Sequence, residues 1–237
     1  MAEALPPGAP AADPAARIAA LFTRADGSFR FARWGRPLAP LVYGTNDEGI
    51  GIVEAALGEV AGLGGLRLAG TDPELGANFL VFFCRDWAEL PQVPGLGRMI
   101  PELADLVARL AGAGASQYRL FGFDGAGAIR FCITLIRYDA ELQRVPAQAL
   151  ALGQCLQGLL LWSERAFAAG SPIAMAPGGG RAVVKPWVRA LIGAAYDAAI
   201  PAASAEPALA LRLAARVALA EAAAVDAAGD RGRESSG

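Results

Sequence analysis

The sequence predicts an α+β fold in which a mixed, mostly antiparallel sheet packs on helices. Three stretches carry this reading. Residues 77–84 (ANFLVFFC) are almost wholly apolar, as expected of a strand covered on both faces. Residues 116–123 and 128–138 alternate in polarity and flank Asp124-Gly125-Ala126-Gly127, a hairpin signal. Residues 145–165 place Leu152, Cys155, Leu156 and Leu159 at helical spacing behind Pro146, which suits a first helical turn because its missing N–H costs nothing there.

The remaining elements follow in order. Residues 1–13 are rich in Pro and Ala and are expected to form a disordered tail. Asp13 caps a short helix over 14–23 that starts on Pro14. Residues 29–34 alternate as an edge strand, with Arg30, Arg33 and Arg36 on its solvated side. Residues 38–44 form a second extended piece, which Pro40 assigns to an edge. Thr45-x-x-Glu48 reads as a capping box, leading into a helix over 46–63 that ends at Gly64-Gly65. A short strand is expected over 66–69, then a loop over 70–76 shaped by Asp72-Pro73. A helix spans 100–110, and residues 167–180 read as a Pro- and Gly-rich loop. Two helices follow, over 186–199 and from Glu206 to about residue 224. Residues 226–237 are expected to be a second disordered tail, so that 14–225 form one α+β domain.

Composition narrows the chemistry. The chain has 237 residues, a net charge of −2 and no histidine. Histidine-dependent triads, histidine–zinc sites and imidazole acid–base catalysis are therefore excluded. The charge gives no nucleic-acid footprint. Cys84, Cys132 and Cys155 are odd in number, widely spaced and set in apolar contexts, which predicts buried free thiols and a reducing compartment. The first residues lack the basic and apolar regions of a secretory signal, and no apolar run is long enough to span a membrane. A soluble, cytoplasmic protein with no membrane partner, no metal and no cofactor is expected.

Candidate site residues come from the helix over 145–165. Gly153, Gln154 and Gln157 share one of its faces. On zinc peptidases, two histidines four apart bind the metal and an adjacent glutamate acts as base. Laid on Gly153-Gln154-Cys155-Leu156-Gln157, that pattern loses both ligands and the base, because glycine and neutral amides do neither job. What remains is a ligand-binding groove beside Gly153, Gln154 and Gln157, flanked by Arg119 and Arg137. The carboxylate pair Asp72/Glu74 and the thiol Cys84 with Asp86 are the enzymatic alternatives. Trp34, Trp87 and Trp187, if exposed, would serve as interface anchors.

Three short segments carry a resemblance: Arg33-Trp34-Gly35-Arg36-Pro37, Gly153 through Leu159, and Ala195-Tyr196-Asp197. In them the chain resembles a bacterial family of unknown function that includes predicted lipoproteins and has a zincin-like pattern. Its helix motif carries two acidic residues where this chain has Gly153 and Gln154; Gln157 matches. The chain as a whole also resembles an alphaproteobacterial family of hypothetical proteins. The resemblance implies a degenerate zincin-like scaffold without metal ligands and transfers no reaction. The functional expectation is a non-catalytic module that binds a protein partner or small ligand. The alternatives are a structural or assembly protein, or a histidine-independent enzyme.

Overall fold

The computed structural model describes residues 13–176 and 178–234. The chain runs through α1 (Pro14–Phe22), β1 (Phe31–Ala32), β2 (Pro40–Tyr43), α2 (Asp47–Leu63), β3 (Phe79–Cys84), α3 (Leu96–Met99) and α4 (Leu103–Gly112). It continues through β4 (Gln117–Phe123), β5 (Ile129–Arg137), α5 (Ala147–Gln157), β6 (Ile173–Met175), β7 (Ala182–Val184), α6 (Pro186–Ala195), β8 (Ala203–Ser204) and α7 (Leu209–Glu234).

The fold is α+β, with a central sheet in the order β2-β3-β5-β4. β3 is parallel to both β2 and β5, and only the β4–β5 hairpin is antiparallel within this sheet. The other antiparallel pairs are two-stranded ribbons, β1 with β8 and β6 with β7. The parallel centre explains why β3 reads as a continuous apolar run: alternate residues enter two different cores. Phe79 and Val81 join the helices α1, α2, α5, α6 and α7 on one face. Leu80, Phe82 and Cys84 join α3, α4 and Trp87 on the other. Burying Phe79, Leu80, Val81 and Phe82 in this way stabilises the sheet by roughly 1.5–3 kcal/mol each.

Local chemistry sets the element ends. Asp13 accepts from the Ala15 N–H and caps α1. The cap of α2 is Asn46, whose side chain accepts from the Gly49 N–H, one residue later than the capping box over Thr45 and Glu48 predicts. The segment over 66–69 makes a single bridge, Leu38 to Leu68, rather than a strand. The segment over 29–34 pairs regularly only at Phe31–Ala32, and Arg33 then bonds to the Ala202 carbonyl.

Two differences from the sequence reading are larger. The central helix ends at Gln157, eight residues short of the expected Arg165, with Gly158 as its cap. A Cβ on Gly158 would lie 2.5 Å from the Phe79 ring, so the helix end and β3 touch as only glycine permits. The apolar residues that follow, Leu159 to Trp162, are buried but not helical: Leu159 lies in a turn, Leu160 bridges Arg33, and Leu161 and Ser163 bond back to Ala32 and Leu21. A helical apolar pattern and a buried non-helical run are indistinguishable over so short a stretch. The expected loop over 167–180 contains β6, which pairs with β7 as a small hairpin on α5.

The N-terminal tail expected over 1–13 lies outside the described residues except for Asp13, the cap of α1. At the other end α7 continues to Glu234, through most of the segment expected to be a tail; 235–237 lie outside the described residues. Among the described residues no helix is long and apolar enough to cross a membrane.

Candidate functional site

α5 organises two sites, one at each end. At its C-terminal half, Arg119 of β4 reaches across Thr134 of β5 to the helix. Its guanidinium donates to Gln154 Oε1 at 2.7 Å, to Gln157 Oε1 at 3.1 Å and to Thr134 Oγ1 at 3.3 Å. Gln154 in turn donates to Gln117 Oε1 at 2.7 Å. The cation thus meets neutral acceptors only. Burial pushes the Arg119 pKa down, against the pull of the neighbouring Cys132 and Cys155 thiols. The sequence-predicted pair Gln154 and Gln157 therefore does project together, but inward, as the acceptor of an internal guanidinium.

Gly153 lies beside this cluster for a packing reason: a Cβ there would sit 3.2 Å from Ile173 Cδ1 of β6. Arg137 does not join it. Thr134 sits with Cys132 and Ile136 on the α5 side of β5, while Ile133 and Leu135 face α4. Alternation puts Arg137 with the latter, where it pairs with Asp139 at 3.5 Å. The flanking role expected of Arg137 is thereby corrected, and the period-two count along β5 was sufficient to place it.

At the other end of α5 lies a crevice of about 810 Å³. It opens above the C-terminal ends of the parallel strands, where Tyr43, Cys84 and Tyr138 succeed or end β2, β3 and β5. Its origin is topological. The chain leaving β2 enters α2 on one face of the sheet; the chain leaving β3 turns to the other face, through Trp87 and α4. Adjacent parallel strands whose connections diverge leave a gap at their carboxyl ends, the usual place for ligands in such sheets.

Gly44 makes the first divergence possible. Its φ is +83°, and a Cβ would lie 1.9 Å from the Phe83 carbonyl oxygen. The floor is apolar, from Ile52 and Val53 of α2, Leu150 and Ala151 of α5, and Phe83 and Leu90. The rim carries Tyr43, Thr45, Glu48, Arg85, Glu89 and Tyr138. One guanidinium faces two carboxylates, so the rim is close to neutral. Of the candidates named from the sequence, only Cys84 with Asp86 touches this region; the lining comes from four separate segments that only the sheet order unites.

The other candidates resolve into structural roles. Cys84 borders the crevice, but burial and the nearby Glu89 and Asp86 carboxylates push its thiol up to about 11, and its Sγ donates to the Ile136 carbonyl. Asp86 caps the turn that follows, accepting from the Ala88 N–H. Burial opposes ionisation of Asp72, yet hydrogen bonds from Glu74 N–H, Leu75 N–H, Asn78 and Arg36 outweigh it and hold the carboxyl near about 2. Such a group is a fixed anion rather than an acid–base catalyst. Trp34 and Trp87, expected as exposed anchors, are buried: Trp34 donates to the Gly158 carbonyl and Trp87 to the Ala115 carbonyl.

The three segments that carry the family resemblance meet at one junction. Tyr196 donates to the Leu159 carbonyl at 2.7 Å and accepts from the Trp34 N–H, and Arg33 lies over the Tyr196 ring. Among the described residues no group of three or more Cys, Asp or Glu side chains could hold a metal ion. Comparison of the chain with family models, curated proteins and solved structures returns no match.

Proposed function

We propose that the protein is a binding module that holds a small molecule in the crevice above β2, β3 and β5. The crevice itself carries this reading. Its volume suits a metabolite-sized ligand, and an apolar floor under a sparse polar rim matches the usual build of such sites. The near-neutral rim favours an uncharged or zwitterionic ligand with an apolar body over a strong anion. Binding without catalysis fits the chemistry at hand: the one thiol at the site is protonated at neutral pH, and the chain has no imidazole to activate it. Three free, buried thiols favour a cytoplasmic setting.

A protein partner is the second reading, favoured by the edge strand β2. It leaves Leu41 42% and Tyr43 47% exposed beside the crevice. A strand or loop of a partner could pair with this edge.

The test is native mass spectrometry of the protein purified from its own source, beside the variant Ala147→Trp. Ala147 is exposed, lines the crevice and lies in the first turn of α5, so the indole fills the cavity without entering the core. A small-molecule adduct present on the wild type and lost from the variant is expected. Equal adducts on both would place the ligand elsewhere, and a bound protein chain insensitive to the indole would favour the second reading.

A further inference from the structure

A second cavity, of about 490 Å³, shares no lining residue with the crevice. It lies between α1, α6, α7 and the loop that follows Trp162. Its walls carry three cations, Arg17, Arg165 and Lys185, against the single carboxylate of Glu221. Three less one leaves two positive charges in one concavity of a chain whose net charge is −2.

Of the sixteen other cations whose side chains are described, six meet a carboxylate and ten do not, so what sets Arg17, Arg165 and Lys185 apart is that they converge on one cavity. Arg24, Arg36, Arg130, Arg137, Arg181 and Arg216 each meet a carboxylate within salt-bridge distance. Among the described residues none of Arg17, Arg165 and Lys185 does. Like charges gathered in a concave, partly apolar wall repel one another and focus a positive potential into the cavity. The wall is also aromatic and aliphatic. Trp187 is half-buried, with the Arg17 guanidinium 5.5 Å from its ring centroid, and Ile18, Leu191 and Phe167 complete the apolar side.

We propose that this groove binds a small aromatic anion, its ring against Trp187 and Phe167 and its charge held by Arg17, Arg165 and Lys185. The cavity is far larger than an inorganic anion, and its apolar wall gives a bare ion nothing to bury. A neutral arene, in turn, leaves the three cations unmatched. The two requirements together select the class.

The experiment is calorimetric titration of the full chain with 2-naphthyl phosphate, 2-naphthol and inorganic phosphate. The aryl phosphate is expected to bind roughly tenfold or more tighter than either fragment. Its affinity falls as salt rises from about 20 to 200 mM, since the cations are solvent-accessible. Lys185→Glu and, separately, the loop variant Arg165→Glu each weaken it by about tenfold, with unfolding midpoints that report whether each variant is folded. Ala147→Trp, which fills the crevice, leaves it unchanged, so this site and the crevice stand or fall separately. Equal binding of 2-naphthol or of phosphate, no heat at millimolar aryl phosphate, or an affinity indifferent to the charge reversals in folded protein would overturn the proposal.

Discussion

Arg119 of β4 donates to Gln154 of α5 at 2.7 Å, and no carboxylate meets this guanidinium among the described residues. The cation is held by neutral oxygens on two layers at once, Thr134 on the sheet and Gln154 and Gln157 on the helix. It therefore ties α5, and through α5 the wall of the crevice about 9 Å away along the helix axis, to the hairpin.

Removing Arg119 leaves the buried Gln154 oxygen without its donor, and removing Gln154 takes one of three acceptors from the half-buried Arg119. Arg119→Met and Gln154→Leu are each expected to cost about 1.5–3 kcal/mol by urea unfolding, because hydrogen bonds to a charged group are the stronger kind. The double variant is expected to cost clearly less than the sum, since each single change already breaks the bond. Strict additivity would show that the two side chains act independently.

The thiols should be silent in the native state. Burial pushes Cys84 and Cys132 up to about 11 and Cys155 up to about 12, from an ordinary value of 9.0. Ellman's reagent at pH 8 is expected to label none of them quickly, and all three after unfolding. Rapid labelling of Cys84 alone would reopen thiol chemistry at the crevice.

The same shifts set the alkaline limit. The folded chain binds these protons more tightly than the unfolded chain. The resulting stability is fully present below about pH 9 and is lost as pH rises through about 11 to 12. Tyr196, pushed up by burial, acts in the same direction. Urea midpoints are expected to hold from pH 7 to about 8.5 and then fall, with a shallower fall in Cys155→Ala.

Asp72 sets an acid limit of opposite sign. Its folded pKa is about 2 against 3.8, so its contribution is present above about pH 4 and is lost as pH falls toward 2. Asp72→Asn is expected to lower stability at pH 7 by about 1–3 kcal/mol and to flatten the decline between pH 4 and 2. An unchanged acid slope would show that another carboxylate governs it.

The parts of this fold that were legible in the sequence are those written in one segment. Phe79–Cys84 is apolar at every position because two cores share it, and Asp124 to Gly127 carries its own turn chemistry, with Asp124 accepting from Ala126 and Ala128. Gln154 and Gln157 converge because helical spacing says so. The illegible parts depend on what lies opposite. Helix α5 stops where Phe79 presses on Gly158, a contact made 79 positions away in sequence. Ile173 and Val184 pair although the glycines between them read as loop. The crevice has no motif at all, because it is a gap between connections and its lining is drawn from Tyr43, Phe83, Tyr138 and Leu150 alike.

Gly44 tests whether that gap is built as described. Gly44→Ala forces a Cβ against the Phe83 carbonyl at a left-handed backbone angle. A loss of more than about 2 kcal/mol is expected, far above that of an ordinary surface change. A variant as stable as the wild type would mean that the chain leaves β2 by another path.

The most direct measurement of the central claim is methyl-resolved NMR of the full chain against a library of small neutral and zwitterionic compounds. Binding in the crevice predicts hits that shift the methyls of Ile52, Val53, Leu90 and Leu150 together, and that vanish in Ala147→Trp. A library without hits, or hits that leave those four residues unmoved, would contradict it.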